Sequence, residues 1–491
     1  VKRRTFLEAV GTAAAFPAAA AEGMHRIDTD VLVIGSGAAG LCAAIAARAA
    51  GCRVLIIEKM GTVGGNSVLS GGAVSVPCSP HQKIHGIDDS PEALAEDIMQ
   101  AGYVSSPARA LRFAREALPA WEWTSKELGV RWDPTLLTLE RGHRCARTVY
   151  VESRSGTGLI FPMQERAAAV GAELMLGTAL KRFIRDEETG RILGVHAERA
   201  GEPIDICASR GTVLATGGFG ADPEFRRRQN YRLSAAIGTT NQPGATAEGI
   251  KAAALAGAWL LHTEYIHCLP ETSPDEQGSG LAVKFTRSCA ATQGIWVAAK
   301  TGRRFVNETA PLSELTNALL DRTIAGEQVI AVADAKAVSQ PSSPAVTPAD
   351  VADLVSRGIV EKFASLRELC GEFGIPEAAL REEIAAYNDA RTKGAARDAV
   401  GRPLALSALP MNAAPWYAAR VLPKVYECSG GVATDENARV LSVVDDRPIP
   451  GFYAAGEATG GLHGISHLGA VGLIEAIVFG RIAGAAAAEG F

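Results

Sequence analysis

The sequence predicts an α/β protein built on a Rossmann-like parallel sheet, and three stretches carry that expectation. Residues 30–40 read as strand, glycine turn and helix. Residues 53–58 read as a second apolar strand that closes on an acid. From Pro448 the chain returns to the same β/α pattern after a middle segment, about 262–415, of different character. The unbroken apolar run 31–34 suits a strand covered on both faces. The bulk numbers agree with an ordinary globular chain: 491 residues, 47% hydrophobic and 21% charged. That length suggests more than one domain and a large core. A net charge of −5, without a basic-aromatic stripe, argues against a nucleic-acid partner. The nine cysteines are scattered and form no C-x-x-C, so the spacings of haem attachment, zinc and iron–sulfur sites are missing and no metal is expected.

Taken in order, the chain opens on Lys2-Arg3-Arg4-Thr5-Phe6-Leu7, followed by the uncharged stretch 9–21 with small residues at Ala19 and Ala21. This reads as a twin-arginine-type signal over residues 1–25, implying export to the periplasm; without such processing the protein would be cytoplasmic. The uncharged stretch is too short to span a bilayer, and no other transmembrane span is expected. Gly35, Gly37 and Gly40 then match G-x-G-x-x-G, with Ser36, Ala38 and Ala39 between them. The first glycine permits a tight turn, the second lets backbone approach a pyrophosphate, and the third lets helix and strand pack closely. The helix over 38–50 presents its N-terminal amides to that phosphate. Glu58, ending the second strand, stands where a partner for ribose hydroxyls is expected.

After Gly64-Gly65-Asn66-Ser67 and Ser70-Gly71-Gly72 comes a helix-rich stretch, 91–129. A helix at 159–170, a short strand at 173–176 and a hairpin at 192–197 and 204–209 follow, the hairpin turning at Ala200-Gly201-Glu202-Pro203. The strand 212–215 runs into Thr216-Gly217-Gly218-Phe219-Gly220. The middle segment holds loops, a Ser/Pro-rich patch at 339–348 and helices over 349–370 and 376–391. The chain closes with Gly451-Phe452-Tyr453-Ala454-Ala455-Gly456-Glu457 and a helix over 472–488. No repeat of 20–50 residues is present.

Several of these segments occur together in an order that resembles a known family. They are the glycine fingerprint, Glu58-Lys59 with Gly64-Gly65-Asn66-Ser67, Ala215-Thr216-Gly217-Gly218-Phe219 and Thr240-Asn241-Gln242-Pro243-Gly244-Ala245. Gly302-Arg303-Arg304-Phe305-Val306-Asn307-Glu308 and Gly456-Glu457-Ala458-Thr459-Gly460-Gly461 follow. The combination resembles the fumarate reductase/succinate dehydrogenase flavoproteins, in the soluble branch with urocanate reductases and 3-ketosteroid dehydrogenases, over nearly the whole chain after residue 28. The resemblance implies a discontinuous FAD-binding domain, 28–262 and 415–491, with an inserted α+β capping domain, 263–414, that holds substrate.

It also implies a cofactor set. Gly35, Ser36, Gly37, Ala38, Ala39 and Gly40 would cradle the pyrophosphate, Glu58 and Lys59 would serve the ribose side, and Asn66 and Ser67 would donate to phosphate or ribityl oxygens. Gly64, Gly65, Ser70, Gly71, Gly72, Ala179, Ala215, Thr216, Gly217, Asn241, Gly456 and Glu457 would complete the wall. Gly472 and Leu473, at the start of the last helix, would stabilise negative charge on the flavin. Residues 65–72 contain no histidine for a covalent link, so FAD is expected to be bound non-covalently. A second dinucleotide fingerprint is missing, so electrons are expected to pass through a separate quinone or cytochrome.

The substrate residues are where this chain departs from the family. The proton-donating arginine matches Leu312. Two histidines match Leu269 and Glu427. The carboxylate-clamping arginine matches His467, and the proton relay falls near Ser288 and Ala291. Bidentate carboxylate binding needs guanidinium groups at such positions. The expectation is therefore an FAD-dependent dehydrogenase or reductase acting on a C–C or C=C bond beside a carbonyl. Its substrate would be small-molecule, neutral or bulky, and it would not be a fumarate reductase. A 3-ketosteroid dehydrogenase-like or tricarballylate dehydrogenase-like enzyme is one alternative, and a non-catalytic flavin-carrying electron-transfer or ligand-binding subunit is another. His467, Glu427 and Arg287 are the catalytic candidates, chosen because they can exchange protons or hold charge. Tyr265, His267 and Tyr426 are further cleft candidates, and Arg304 is read as bracing the cap.

Overall fold

The computed structural model describes residues 25–276, 280–404 and 410–491. The signal-type segment lies outside these residues except for His25, which opens the first strand, His25–Ile34. That strand is the centre of an eight-stranded sheet. Five strands run parallel, in the order Pro448–Ala454, Glu202–Leu214, His25–Ile34, Val54–Glu58 and Glu173–Leu176. Val31 lies opposite Val54 and Ile34 opposite Ile57. Successive side chains of a strand point to opposite faces. Val31 and Val33 thus enter one core with the helices, while Leu32 and Ile34 enter a second core with the antiparallel strands Thr178–Arg185 and Ile192–Arg199. Two buried faces explain the unbroken apolar run.

The first helix, Ala38–Ala49, packs along the last, Gly472–Glu489, at opposite ends of the sequence. Small residues make the contact possible. A Cβ added at Gly480 would stand 2.4 Å from the Ala39 carbonyl oxygen, and one at Gly484 would stand 2.1 Å from that of Ala43.

The inserted unit is α+β. Its sheet has Trp416–Cys428 as the long shared strand. Residues 416–421 of that strand pair with Val329–Asp334, and its second half pairs with Ile266–Thr272. The returning strand is thus hydrogen-bonded into the insert's sheet although it lies beyond residue 414, and it carries the chain back to the cofactor domain. Ile295–Ala298 closes one side. Arg304 is buried here against Glu308 at 2.6 Å and Asp398 at 2.8 Å, and Glu308 also accepts the Trp296 amide at 3.0 Å. It braces the insert.

The single helix expected over 349–370 is instead two, Pro348–Ser356 and Leu366–Phe373, separated by a short strand, Glu361–Phe363. Gly358, at φ +71°, follows the end of the first helix, and the Ser365 hydroxyl accepts the Glu368 amide to start the second. The strand Thr178–Arg185 was not anticipated, because Lys181 and Arg182 hide its alternation. Among the described residues no helix is long and apolar enough to cross a membrane.

The helix–helix contact yields a stability prediction. Gly480→Val should force the two helices apart and lower stability by about 1–3 kcal/mol, the usual cost of overpacking. Denaturant unfolding of the purified variant measures this, with weaker cofactor retention expected alongside.

Candidate active site

The glycine turn builds one end of a cleft of about 450 Å³. Gly35 has φ +107°, and a Cβ there would lie 2.3 Å from the Ala215 carbonyl oxygen. At Gly40 a Cβ would lie 1.9 Å from the Gly35 carbonyl oxygen. Both positions exclude a side chain, and the helix is thereby drawn in to start directly beneath the turn. Its N-cap, Gly37, supplies no side-chain acceptor. Ser67 Oγ accepts the Ala38 amide at 3.2 Å and keeps its own proton for donation. Four N-terminal amides of a helix lack internal partners, so an anion is favoured there. The last helix begins over the same cleft, also without a side-chain cap, with Gly472 and Leu473 in the wall.

Glu58 is buried and held by three donors: the Ser36 amide at 3.0 Å, the Ser36 hydroxyl at 2.8 Å and the Met60 amide at 2.8 Å. Lys59 donates to Thr246 and, at 3.0 Å, to Glu248. Of the expected cofactor set, Gly35, Ser36, Gly37, Ala38, Ala39, Glu58, Lys59, Gly65, Asn66, Ser67, Ser70 and Gly71 line the cleft. Ala215, Thr216, Gly217, Gly456, Glu457, Gly472 and Leu473 do so as well.

Gly40, Gly64, Gly72, Ala179 and Asn241 stand behind the wall. Gly64 donates to the Ser36 carbonyl at 3.1 Å. Asn241 accepts from Asn66 Nδ2 at 2.5 Å, and Asn66 Oδ1 accepts the Gln242 amide at 2.9 Å. One Nδ2 hydrogen of Asn66 and its Oδ1 are therefore held by protein partners. Thr178 and Leu180 face the cleft, and strand alternation turns the Ala179 side chain away. Glu140, Tyr426 and Glu475 also line it. Glu475 has a sequence signal, a lone acid inside an apolar helix. Glu140 has none.

At the far end, Glu427 and His467 meet. His467 Nδ1 lies 3.0 Å from Glu427 Oε2, with side chains only 7% and 12% exposed. Burial, then the nearby Glu457 and Glu475, pushes the Glu427 carboxyl well above its usual range. Burial, then the neighbouring His463, pulls His467 well below its own. Both shifts favour neutral partners, so the pair holds one transferable proton at zero net charge. His467 Nε2 is buried with no partner among the described residues. It sits 3.5 Å from where a Cβ on Gly472 would be, which places it at the edge of the cofactor cleft.

His463 stacks edge-on against His467 at 4.2 Å and contacts Glu475 Oε2 through Nε2 at 3.1 Å. Glu427, His463 and His467 lie close enough to hold a metal ion, but the His467 Nδ1 contact with Glu427 already accounts for that pair. Tyr426, which burial keeps protonated, lines both this cleft and a second cavity of about 160 Å³. Leu312, His267, Tyr265 and His467 line that second cavity too. His267 shares a proton with Ser429 Oγ at 2.6 Å, and burial lowers it to about 4.

Arg287 lines neither cavity. Its guanidinium makes a two-point contact with the fully buried Glu271, at 3.0 Å each, which keeps it charged. Arg287 is thus held as a cation beside Tyr426.

Glu457 yields a pH prediction. Burial pushes its carboxyl up to about 6 from 4.5, against the lowering effect of the Cys428 amide and Asn66. A raised acid holds more protons folded than unfolded, so stability is lost as pH rises from 4.5 through 6. In the cofactor-free protein Glu457→Gln should remove about 2 kcal/mol of that loss. Denaturant melts of both proteins at pH 4.5 and 7 measure the difference.

Residues 30–473 match the family model described as FAD binding domain. The chain is 33% identical to the acrylate reductase flavoprotein subunit of Shewanella woodyi, over 98% of this chain and 97% of that protein. It is 34% identical to the urocanate reductase of Eggerthella lenta, over 94% of this chain and 75% of the other. The solved open conformation of a flavocytochrome c3 fumarate reductase superposes with a TM-score of 0.81 at 27% identity, covering 94% of this chain and 78% of that one. The residues present fit the cofactor these relatives imply. Two helix N-termini without side-chain caps open into one cleft, beside a glycine cradle and a fixed carboxylate. The protein is an FAD-dependent oxidoreductase, and the chain belongs to the FAD-binding-domain family of fumarate reductase-type flavoproteins.

Proposed function

We propose that the protein reduces the C=C bond of small α,β-unsaturated carbonyl compounds that carry at most one carboxylate, with electrons delivered by a separate carrier. The observation that carries this reading is the Glu427–His467 pair, which offers one proton beside the cofactor cleft without a net charge. The similarity to reductases of acrylate and urocanate supports it. The second cavity, at about 160 Å³, favours the small end of the substrate range left open by the sequence. Leu312 and Glu427 stand where the family resemblance expects dianion-binding groups, so a second carboxylate would meet an apolar wall and an acid.

FAD, when bound and reduced, supplies a hydride equivalent to the carbon β to the carbonyl. The chain's residues do the rest. The amides of Ala38 and Ala39 would hold the phosphates, Glu58 would meet the ribose, and the amides of Gly472 and Leu473 would face the flavin end. His467 donates the Nε2 proton to the α carbon and takes the Glu427 proton at Nδ1 in the same step. The negative charge that would grow on the substrate is passed to Glu427, so the buried site keeps its total charge. Tyr426 donates a hydrogen bond from the shared wall of the two cavities. Non-covalent FAD accords with the absence of histidine in residues 65–72, and a separate electron carrier accords with a relative named as a flavoprotein subunit.

A substrate survey with reduced viologen tests the reading. Unsaturated monocarboxylates or enones should be reduced while fumarate is turned over far more slowly. Glu427→Gln and His467→Ala should each lower kcat by about 10²- to 10⁴-fold, the usual worth of a positioned acid, with FAD content unchanged. Brisk fumarate turnover, or full activity in His467→Ala, would defeat the proposal.

A further inference from the structure

Tyr426 and Glu427 are neighbours in sequence, yet both line the cofactor cleft. Successive side chains of a regular strand point to opposite faces, so the strand is irregular here. Its pairing shows how. His267 lies opposite Glu427, and the next residue, Cys268, lies opposite Val425, so Tyr426 is an extra residue with no counterpart on Ile266–Thr272. This is a β-bulge, which kinks its strand and re-aims the side chains beside it. The extra residue is left out of the ladder, so other contacts must hold the bulge in place.

His267 supplies them. Its Nε2 lies 2.6 Å from the Oγ of the buried Ser429, two residues beyond Glu427. The Ser429 amide donates to the Tyr265 carbonyl at 2.9 Å, two residues before His267. The second partner of the ring is the Gly464 backbone, in a contact that favours the protonated ring, so the Gly464 carbonyl is the acceptor. Gly464 lies three residues before His467, and its loop is fixed. The Ile465 amide donates to the Gly102 carbonyl at 3.1 Å, and a Cβ on Gly464 would stand 2.1 Å from that oxygen. Burial keeps the His267 ring neutral, and a neutral imidazole carries one donor and one acceptor. With the Nδ1 proton given to Gly464, Nε2 accepts the Ser429 hydroxyl. One ring thus joins the strand end that carries Glu427 to the loop that carries His467. It lines the second cavity together with His467 and Tyr426.

We propose that His267 is a positioning residue, pinning the bulge at Tyr426 so that Glu427 and His467 meet while Tyr426 faces the same cleft. This rests on the proposed proton transfer from the Glu427–His467 pair, and it names the residue that sets the geometry of that pair. His267 stands on a strand of the insert, whereas His467 belongs to the cofactor domain. The ring therefore holds the two units in register at the point where the proton moves. It acts through Ser429 and Gly464, and the 3.0 Å contact between His467 and Glu427 depends on both.

The test uses the FAD-loaded enzyme with crotonate and reduced viologen. His267→Leu removes both contacts of the ring and should lower kcat about 10²-fold, the cost of a small misplacement, with KM within about threefold of the wild type and FAD content unchanged. His267→Gln, whose amide keeps a donor and an acceptor, should recover about tenfold of that loss. Ser429→Ala is a smaller change at the other end of the contact and should also lower kcat. Added to His267→Leu it should cost little more, because the two side chains act as one unit. A second readout avoids turnover: NMR of the holoenzyme carrying isotope-labelled histidine, with ring nitrogens assigned by single substitutions. The His267 proton should sit on Nδ1 at neutral pH, and the His467 signals should move in Ser429→Ala. An unchanged kcat in both His267→Leu and Ser429→Ala, a KM that rises as much as kcat falls, a His267 proton on Nε2, or loss of FAD from both variants would overturn the assignment. The predicted NMR signals in an enzyme unable to reduce any unsaturated compound would support the brace and sink the proposed reaction.

Discussion

The contact between the first and last helices is the constraint on which the rest of the structure depends. Ala38–Ala49 and Gly472–Glu489 approach so closely that glycines at 480 and 484 leave no room for a Cβ. One helix starts at the glycine turn and the other just after His467, so their contact brings the two ends of the chain to one cleft. Neither start is capped by a side chain. The unmet amides create positive potential at both ends of an elongated site, which suits a cofactor with anionic phosphates at one end and a reducible ring at the other.

Around the reacting end the chain gathers three acids, Glu427, Glu457 and Glu475, and neutralises each differently. Glu475 has His463 at 3.1 Å and Arg109 at 3.9 Å. Glu457 accepts the Cys428 amide at 3.0 Å and yields part of its acidity to burial. Among the described residues Glu427 has only His467, a group that burial also keeps neutral, and therefore retains its proton. In the proposed reaction, the acid with the poorest supply of donors is the one that gives up its proton. Buried charge is costly unless paired, so the pattern of partners decides the chemistry.

Most of the cofactor domain was legible in the sequence because its signals are local. Residues 31–34 form a continuous apolar strand, Gly35 and Gly40 sit where no side chain fits, and Glu58 closes the neighbouring strand. The insert was less legible. Trp416–Cys428 divides its pairing among three strands and shows no clean alternation, and Gly358 splits a run that reads as one helix. Glu427 and His467 were each named from family positions; their contact, forty residues apart in sequence, is seen only in the folded protein. The contacts of Asn66 with Asn241 and Gln242, far along the chain, could not be read from sequence.

The central claim is that the protein reduces a carbon–carbon double bond beside a carbonyl, with hydride from the flavin and a proton from the protein. The most direct measurement is a single turnover in D2O: pre-reduced enzyme is mixed anaerobically with an unsaturated acid, flavin reoxidation is followed, and the product is examined by NMR. The account predicts stoichiometric reoxidation and a saturated product carrying one deuterium on the α carbon and, because the N–H of a reduced flavin exchanges with solvent, one on the β carbon. A flavin that stays reduced with every unsaturated carbonyl tested, or a product reduced at the carbonyl with its double bond intact, would contradict it.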